Sequence, residues 1–160
     1  MVVDPDPDRM LADLGDELAV RVSAAVPAWV MRCVDTRLAP DAPGRDDVMA
    51  QAATAARRAG QEVATQLHAL LAADVDGQRS TPLAVVRAAI RYPTEVLSRA
   101  QVAPVPRDPF VSERFPDDPY GLTPASLQAM DPGLGDLSIA WGAAKAMAHR
   151  KRHGGSAESG

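Results

Sequence analysis

The sequence predicts an all-α fold, and three observations carry that expectation. Apolar residues recur every three or four positions over long stretches. No run alternates apolar and polar residues for long enough to make a strand. The 160 residues are 46% apolar but only 4% aromatic, so a core must be built from Leu, Val, Ala and Met, and abundant Ala favours closely packed helices. A chain of this length fits one domain with its own core. The expected architecture is a single helical domain over 1–153 with five or six helices and an acidic arm at 1–7. An irregular Pro-rich aromatic strap near 101–122 crosses it, and residues 154–160 are expected to form a disordered tail.

The first helix is expected to start near Asp8, where Asp6 or Asp8 can accept from free amides. Leu11, Leu14, Leu18, Val22, Ala25, Trp29 and Cys33 define its apolar stripe. Pro27 should kink this helix or begin a second one, because its ring clashes one turn back. Asp41-Ala-Pro-Gly44 reads as a turn. A second helix is expected from about Asp46 to Ala73, capped by Asp46 and Asp47 and closed by Asp74-Val-Asp-Gly77. Its inward face is Val48, Ala52, Ala55, Ala59, Val63, Leu67 and Leu70, and Gly60 either weakens it or permits close contact. Thr81-Pro82 is a cap followed by proline at the first helical position, so a short helix should cover Leu83–Arg91. Pro93 restarts the chain, with Val96, Leu97 and Ala100 facing inward. Thr123-Pro124 repeats the cap signal for a short helix that ends at Asp131-Pro132-Gly133. The last helix should run from about Gly135 to His149, with Leu137, Trp141, Ala144 and Ala148 on one face.

The strap is the least regular part of the design. Phe110, Phe115 and Tyr120 are three of only six aromatic residues, and Pro109, Pro116 and Pro119 forbid a continuous helix or a central strand there. Such residues must cover the core or meet a partner. Phe110 and Phe115 are expected to be mainly core. Tyr120, with Arg107, Arg114, Asp117 and Asp118, is the better candidate for contact, since aromatic and Arg side chains are favoured interface anchors.

No supported catalytic, cofactor or metal constellation appears. Asp4, Asp6 and Asp8 open like a calcium loop, but Arg9 and Gly15 stand where Gly and Glu are required. Asp74 and Asp76 fail likewise. Gly133-Leu-Gly-Asp-Leu-Ser138 lacks the third glycine and the preceding strand of a dinucleotide loop. His149 and His153 lie four apart at a basic helix end, and His68 stands alone. Cys33 reads as a buried structural thiol. Ser80, Ser98, Ser112 and Ser138 lack an elbow-type glycine context. Glu113 and the Asp117-Asp118 pair sit beside Arg107 and Arg114, which suggests ion pairing rather than acid–base work.

Charge and targeting signals narrow the class further. The net charge is −4, which weighs against general nucleic-acid or acidic-membrane affinity. Residues 1–80 carry 13 acidic and 8 basic side chains, whereas residues 133–160 carry 2 and 4. Opposite charge therefore gathers towards the two ends. A lone cysteine excludes an intramolecular disulfide. The start has no signal-peptide pattern and no run is long enough to span a bilayer, so a cytoplasmic location is expected.

Leu83-Ala-Val-Val-Arg-Ala-Ala-Ile-Arg-Tyr-Pro-Thr-Glu-Val-Leu97, Phe115-Pro-Asp-Asp-Pro-Tyr-Gly-Leu-Thr-Pro124 and Ile139-Ala-Trp-Gly-Ala-Ala-Lys-Ala146 together resemble uncharacterised small helical proteins of actinobacteria. That resemblance implies a helical fold and brings no activity with it. The sequence thus points to a non-enzymatic accessory or adaptor protein whose partner is another protein, with no cofactor, and leaves homo-oligomerisation open. The alternative is a DNA-binding regulator with a helix-turn-helix-like unit at 81–101, presenting Thr94, Ser98 and Arg99.

Overall fold

In the computed structural model, which describes residues 6–73 and 80–154, every other long element packs on the first helix. Helix α1 (Pro7–Arg37) begins at a proline whose missing N–H costs nothing in the first turn. Asp6 caps it and accepts from the Asp8 N–H at 3.1 Å. The buried face is Leu18, Ala19, Val22, Val26, Trp29, Val30 and Val34, wider than the single stripe expected. Leu11, Leu14, Ala25 and Cys33 are only partly buried along its edges. The width follows from two covers: α1 is packed by α2 (Arg45–Ala72) and by α7 (Leu134–Gly154).

Pro27 neither divides the helix nor starts a new one. Its ring packs opposite Gly60 of α2. A Cβ added at Gly60 would lie 3.1 Å from Pro27 Cγ and 3.6 Å from the Ser23 carbonyl oxygen. That carbonyl is the one left without its helical donor, because Pro27 has no N–H. Gly60 therefore makes the space that the proline needs, and the two fix how closely α1 and α2 approach. Ala52, Ala56 and Ala59 continue the same thin seam, and Val63 and Leu67 fill its wider end. Gly44, with φ +70°, ends the turn before α2 and occupies the cap position. Asp46 and Asp47 are not the cap as expected; they lie in the first turn, where their charge favours the positive end of the helix.

Helices α3 (Pro82–Ala88) and α4 (Arg91–Arg99) cross the open side. Thr81 caps α3 as the sequence indicates, accepting from the Ala84 N–H at 3.1 Å. The joint is tighter than a restart at Pro93. Ala89 and Ile90 stay in the right-handed helical region, and the amides of Ala89, Ile90 and Tyr92 each bond three residues back. Helix α4 stops in a left-handed turn: Gln101 has φ +60°. The Gln101 N–H donates to Ser98 and the Val102 N–H to Leu97, both at 3.0 Å, so the last carbonyls are satisfied and Val102 folds against the core.

The strap returns the chain to α3 through a short helix, α5 (Pro109–Arg114), which Pro109 can begin because it stands at the first position. Helix α6 (Leu127–Met130) is capped by Ser126, not by Thr123 as expected, since Thr123 is engaged elsewhere. Helix α7 lies antiparallel to α1 and buries Leu137, Trp141, Ala144 and Ala148, the face the sequence indicates. It continues to Gly154, past the expected end at His149. At its far end Lys151 reaches Asp6 and Asp8 at 3.2 and 3.5 Å, and Arg152 reaches Asp8 at 3.5 Å. Opposite charge at the two ends thus meets across an antiparallel pair, although such exposed bridges contribute little and are screened by salt. No strand occurs among the described residues, and no helix is long and apolar enough to cross a membrane. The turn expected at Asp74–Gly77, most of the acidic arm and all but the first residue of the expected tail lie outside the described residues.

Two stability outcomes follow. Gly60→Ala should gain no net stability in the wild-type background, because the propensity gain of about 1 kcal/mol is offset at the Pro27 ring. In a Pro27→Ala background the same change should stabilise by about 1 kcal/mol; urea unfolding of the four-member cycle measures the coupling. Gln101→Gly should stabilise by about 0.5–1 kcal/mol by relieving a left-handed non-glycine residue, read as a raised urea midpoint at constant slope.

Candidate functional site

The strap and the α3–α4 joint enclose one open groove of about 680 Å³. Arg87, Ala88, Ile90 and Arg91 form one wall, and Arg114, Phe115, Pro116, Asp117, Asp118 and Thr123 form the other. A second hollow of about 330 Å³ lies beyond Phe115, bordered by Val111, Gly121 and Pro124.

Asp118 holds the strap in this shape. It is 3% exposed and sits in a tight turn that ends at Gly121, with φ +65°. Its carboxylate accepts from the Leu122 N–H at 2.7 Å, the Thr123 N–H at 2.8 Å and the Thr123 hydroxyl at 2.7 Å. Burial pushes its pKa up, but these hydrogen bonds, aided by the charge of Arg107, outweigh burial and hold it below the usual value. Arg107 donates to the Val111 and Phe115 carbonyls at 2.8 and 3.2 Å, closing α5 onto the turn. The Val105 N–H donates to the Pro119 carbonyl at 3.0 Å and clips the two arms of the strap together.

The strap aromatics sit opposite to expectation. Tyr120, expected to face a partner, is 3% exposed and lies in the core cluster. Its hydroxyl donates to the Val102 carbonyl at 2.8 Å, and its own carbonyl accepts from Arg37 Nε at 2.9 Å. Phe110, expected in the core, is 81% exposed. Phe115 is half-buried at the groove wall, with the Arg114 guanidinium 5.5 Å from its ring centre. The reason is the polar handle. The α4 end leaves a carbonyl under the strap that tyrosine can satisfy and phenylalanine cannot.

Of the five strap residues singled out, Arg114, Asp117 and Asp118 line the groove. Asp118 faces the backbone rather than a partner, and Arg107 and Tyr120 lie outside the groove as structural ties. The residues not anticipated are Arg87, Ile90 and Arg91 on the opposite wall. The one signal was their spacing: Arg87 and Arg91 are four apart, on either side of the α3–α4 joint. Arg87 donates to the Pro124 and Ala125 carbonyls at 3.1 and 3.2 Å, which anchors the returning strap without neutralising its charge. Arg91 and the Tyr92 hydroxyl both bond Glu62 of α2. These bonds, with Tyr92 the larger influence, hold the Glu62 carboxyl below its usual range. Among the described residues Arg114 forms no ion pair.

Of the three side chains that the 81–101 unit is expected to present, two are on the surface and one is partly covered. Thr94 is half-buried and its hydroxyl oxygen is enclosed without a hydrogen-bond partner among the described residues. Ser98 and Arg99 are exposed, and Arg99 pairs with Glu95 one turn earlier. The Cys33 thiol is pushed up to about 11 by burial. His68 is exposed on α2, while the His149 and His153 rings lie 4.4 Å apart at the end of α7. Among the described residues no three His, Cys, Asp or Glu side chains gather as a metal-binding group.

Asp118→Ala should cost about 2–3 kcal/mol at neutral pH, since it strands the buried Leu122 amide and the Thr123 donors. The folded pKa lies below the unfolded one, so this contribution is complete above the ordinary aspartate value. It fades as pH falls through the folded pKa. The stability gap between wild type and variant in urea unfolding should therefore be constant at neutral pH and begin to narrow only below about pH 4. Compared with protein-family models, curated proteins and solved structures, the chain matches none.

Proposed function

We propose that the chain works by binding rather than catalysis, as an accessory or adaptor protein that takes an extended segment of another protein into the groove between the strap and α3–α4. The observation that carries this reading is the shared lining of the groove, where Arg87 and Arg114 stand with Ile90, Phe115 and Pro116, while Arg91 is paired with Glu62, Asp118 is turned to the backbone and Asp117 is the one exposed carboxylate among the lining residues. Arginines beside apolar surface recognise a carboxylate next to an apolar side chain. Arg114 is charged and exposed and, among the described residues, forms no ion pair, while the partners of Arg87 among those residues are the neutral carbonyls of Pro124 and Ala125. Val111 on α5 borders the smaller hollow, and its exposed neighbour Phe110 adds apolar surface next to it in the chain. The preferred ligand is therefore an acidic–apolar peptide segment. The strap supplies a wall fixed by proline and by Asp118, which lowers the ordering cost of binding.

Selection from a random peptide display library tests this directly. Enriched sequences should pair Asp or Glu with a bulky apolar residue, and Arg114→Glu should weaken their binding about tenfold or more. Phe110→Ala, at an exposed position, should weaken the longer ligands without changing the thermal midpoint. Failure to enrich any motif, or equal binding by Arg114→Glu, would overturn the reading.

A further inference from the structure

The outer face of α7 carries two large apolar side chains that remain on the surface, Ile139 largely bare and Met147 in part. Ile139 is 71% exposed and Met147 is 38% exposed. Ala143 and Ala146 between them are exposed too. Asp136 and Arg150 bound the stripe at its two ends, both exposed, and among the described residues neither forms an ion pair. At 3.6 residues per turn these six positions fall within about 100° of arc. They lie opposite the buried Trp141, Ala144 and Ala148.

The stripe is complementary to itself when reversed. Ile139 and Met147 each stand four residues from Ala143, and Asp136 and Arg150 each stand seven residues from it. Seven residues span about 10 Å along a helix. We propose that this face is an isologous contact between two copies of the chain, with the α7 helices antiparallel and the two-fold axis passing through Ala143. Each Ile139 then meets the partner's Met147, and each Asp136 meets the partner's Arg150. A two-fold interface demands this reciprocity, in which residue i meets j and j meets i. An unrelated partner would have no need of opposite charges equally spaced about a small central residue. A parallel pairing would set Asp136 against Asp136. Ala143 at the axis allows helices to approach to the short end of the usual 8–10 Å range. About four turns of one helix make a contact below the standard size, so the dimer is weak, with a Kd on the order of 10 μM.

Sedimentation velocity from about 5 to about 500 μM brackets that affinity. The wild-type chain should move from monomer to dimer mass across this range. Ala143→Arg, at an exposed position, should remain monomeric with an unchanged circular-dichroism melt. Asp136→Arg should weaken association about tenfold or more. Combining it with Arg150→Asp should restore association, because the charges then meet again in reversed order. Ala143→Cys in a Cys33→Ala background should crosslink to itself under mild oxidation. A chain that stays monomeric throughout overturns the proposal. So does a dimer indifferent to Ala143→Arg, or a double charge variant no tighter than Asp136→Arg alone. A dimer lost in Arg114→Glu but kept in Ala143→Arg would place the contact in the groove and equally overturn it.

Discussion

The contact between Pro27 and Gly60 sets the geometry on which the other packing rests. An Ala-rich core gains little from any one side chain, so it must gain from many close contacts. That requires α1 and α2 to lie nearly backbone to backbone along Ala52, Ala56 and Ala59. Proline in the interior of α1 would ordinarily be a liability of about 3 kcal/mol. Here its ring fills the space above a residue without a side chain, at the turn where α1 has lost a backbone bond. With that separation fixed, the two flanks of α1 are defined, and α7 and α4 pack onto them. The aromatics Trp29 and Trp141 then fill volume that alanine leaves open.

The strap obeys a different rule. It has few backbone bonds of its own, so its shape depends on side chains that serve the backbone. Asp118 takes three donors from Leu122 and Thr123, Arg107 ties two carbonyls of the α5 turn, and Arg87 holds Pro124 and Ala125. Buried backbone groups in an irregular segment must be satisfied in this way, because no ladder or helix does it for them. The charged residues of the strap divide accordingly. Those with a carbonyl or amide to serve are inside or anchored, whereas Arg114 and Asp117 line the groove and Glu113 is exposed outside it.

Much of the fold was legible in the sequence because helix signals are local. Thr81-Pro82 caps α3, and Leu137, Trp141, Ala144 and Ala148 mark the buried face of α7 by spacing alone. What was not legible depended on competition between distant groups. Thr123 looks like a cap, yet Asp118 claims its hydroxyl, and Ser126 caps α6 instead. Asp46 and Asp47 look like a cap, yet Gly44 reaches the left-handed turn that precedes α2 and takes that position. Pro27 reads as a break until its opposite number, Gly60, is known. Half of the groove was missed for the same reason: Arg87 and Arg91 acquire a shared surface only once Asp118 has folded the strap back towards them.

The reversal of the strap aromatics shows why hydrophobicity alone misplaces them. Phenylalanine is the more apolar residue, so a transfer argument sends Phe110 inward and leaves Tyr120 outside. Burying either ring yields a similar apolar gain. The site beneath the strap adds a second requirement, since the left-handed exit from α4 leaves the Val102 carbonyl facing inward. Leaving that acceptor unsatisfied costs about 1–3 kcal/mol, which exceeds what the extra apolarity of phenylalanine could return. Tyr120 satisfies the acceptor and takes the inner position. Phe110 then stands on a short helix that offers it no cavity, beside a groove lined with arginine. Placing the polar aromatic inside therefore goes with leaving an apolar aromatic outside, on the surface that the proposed peptide-binding reading invokes.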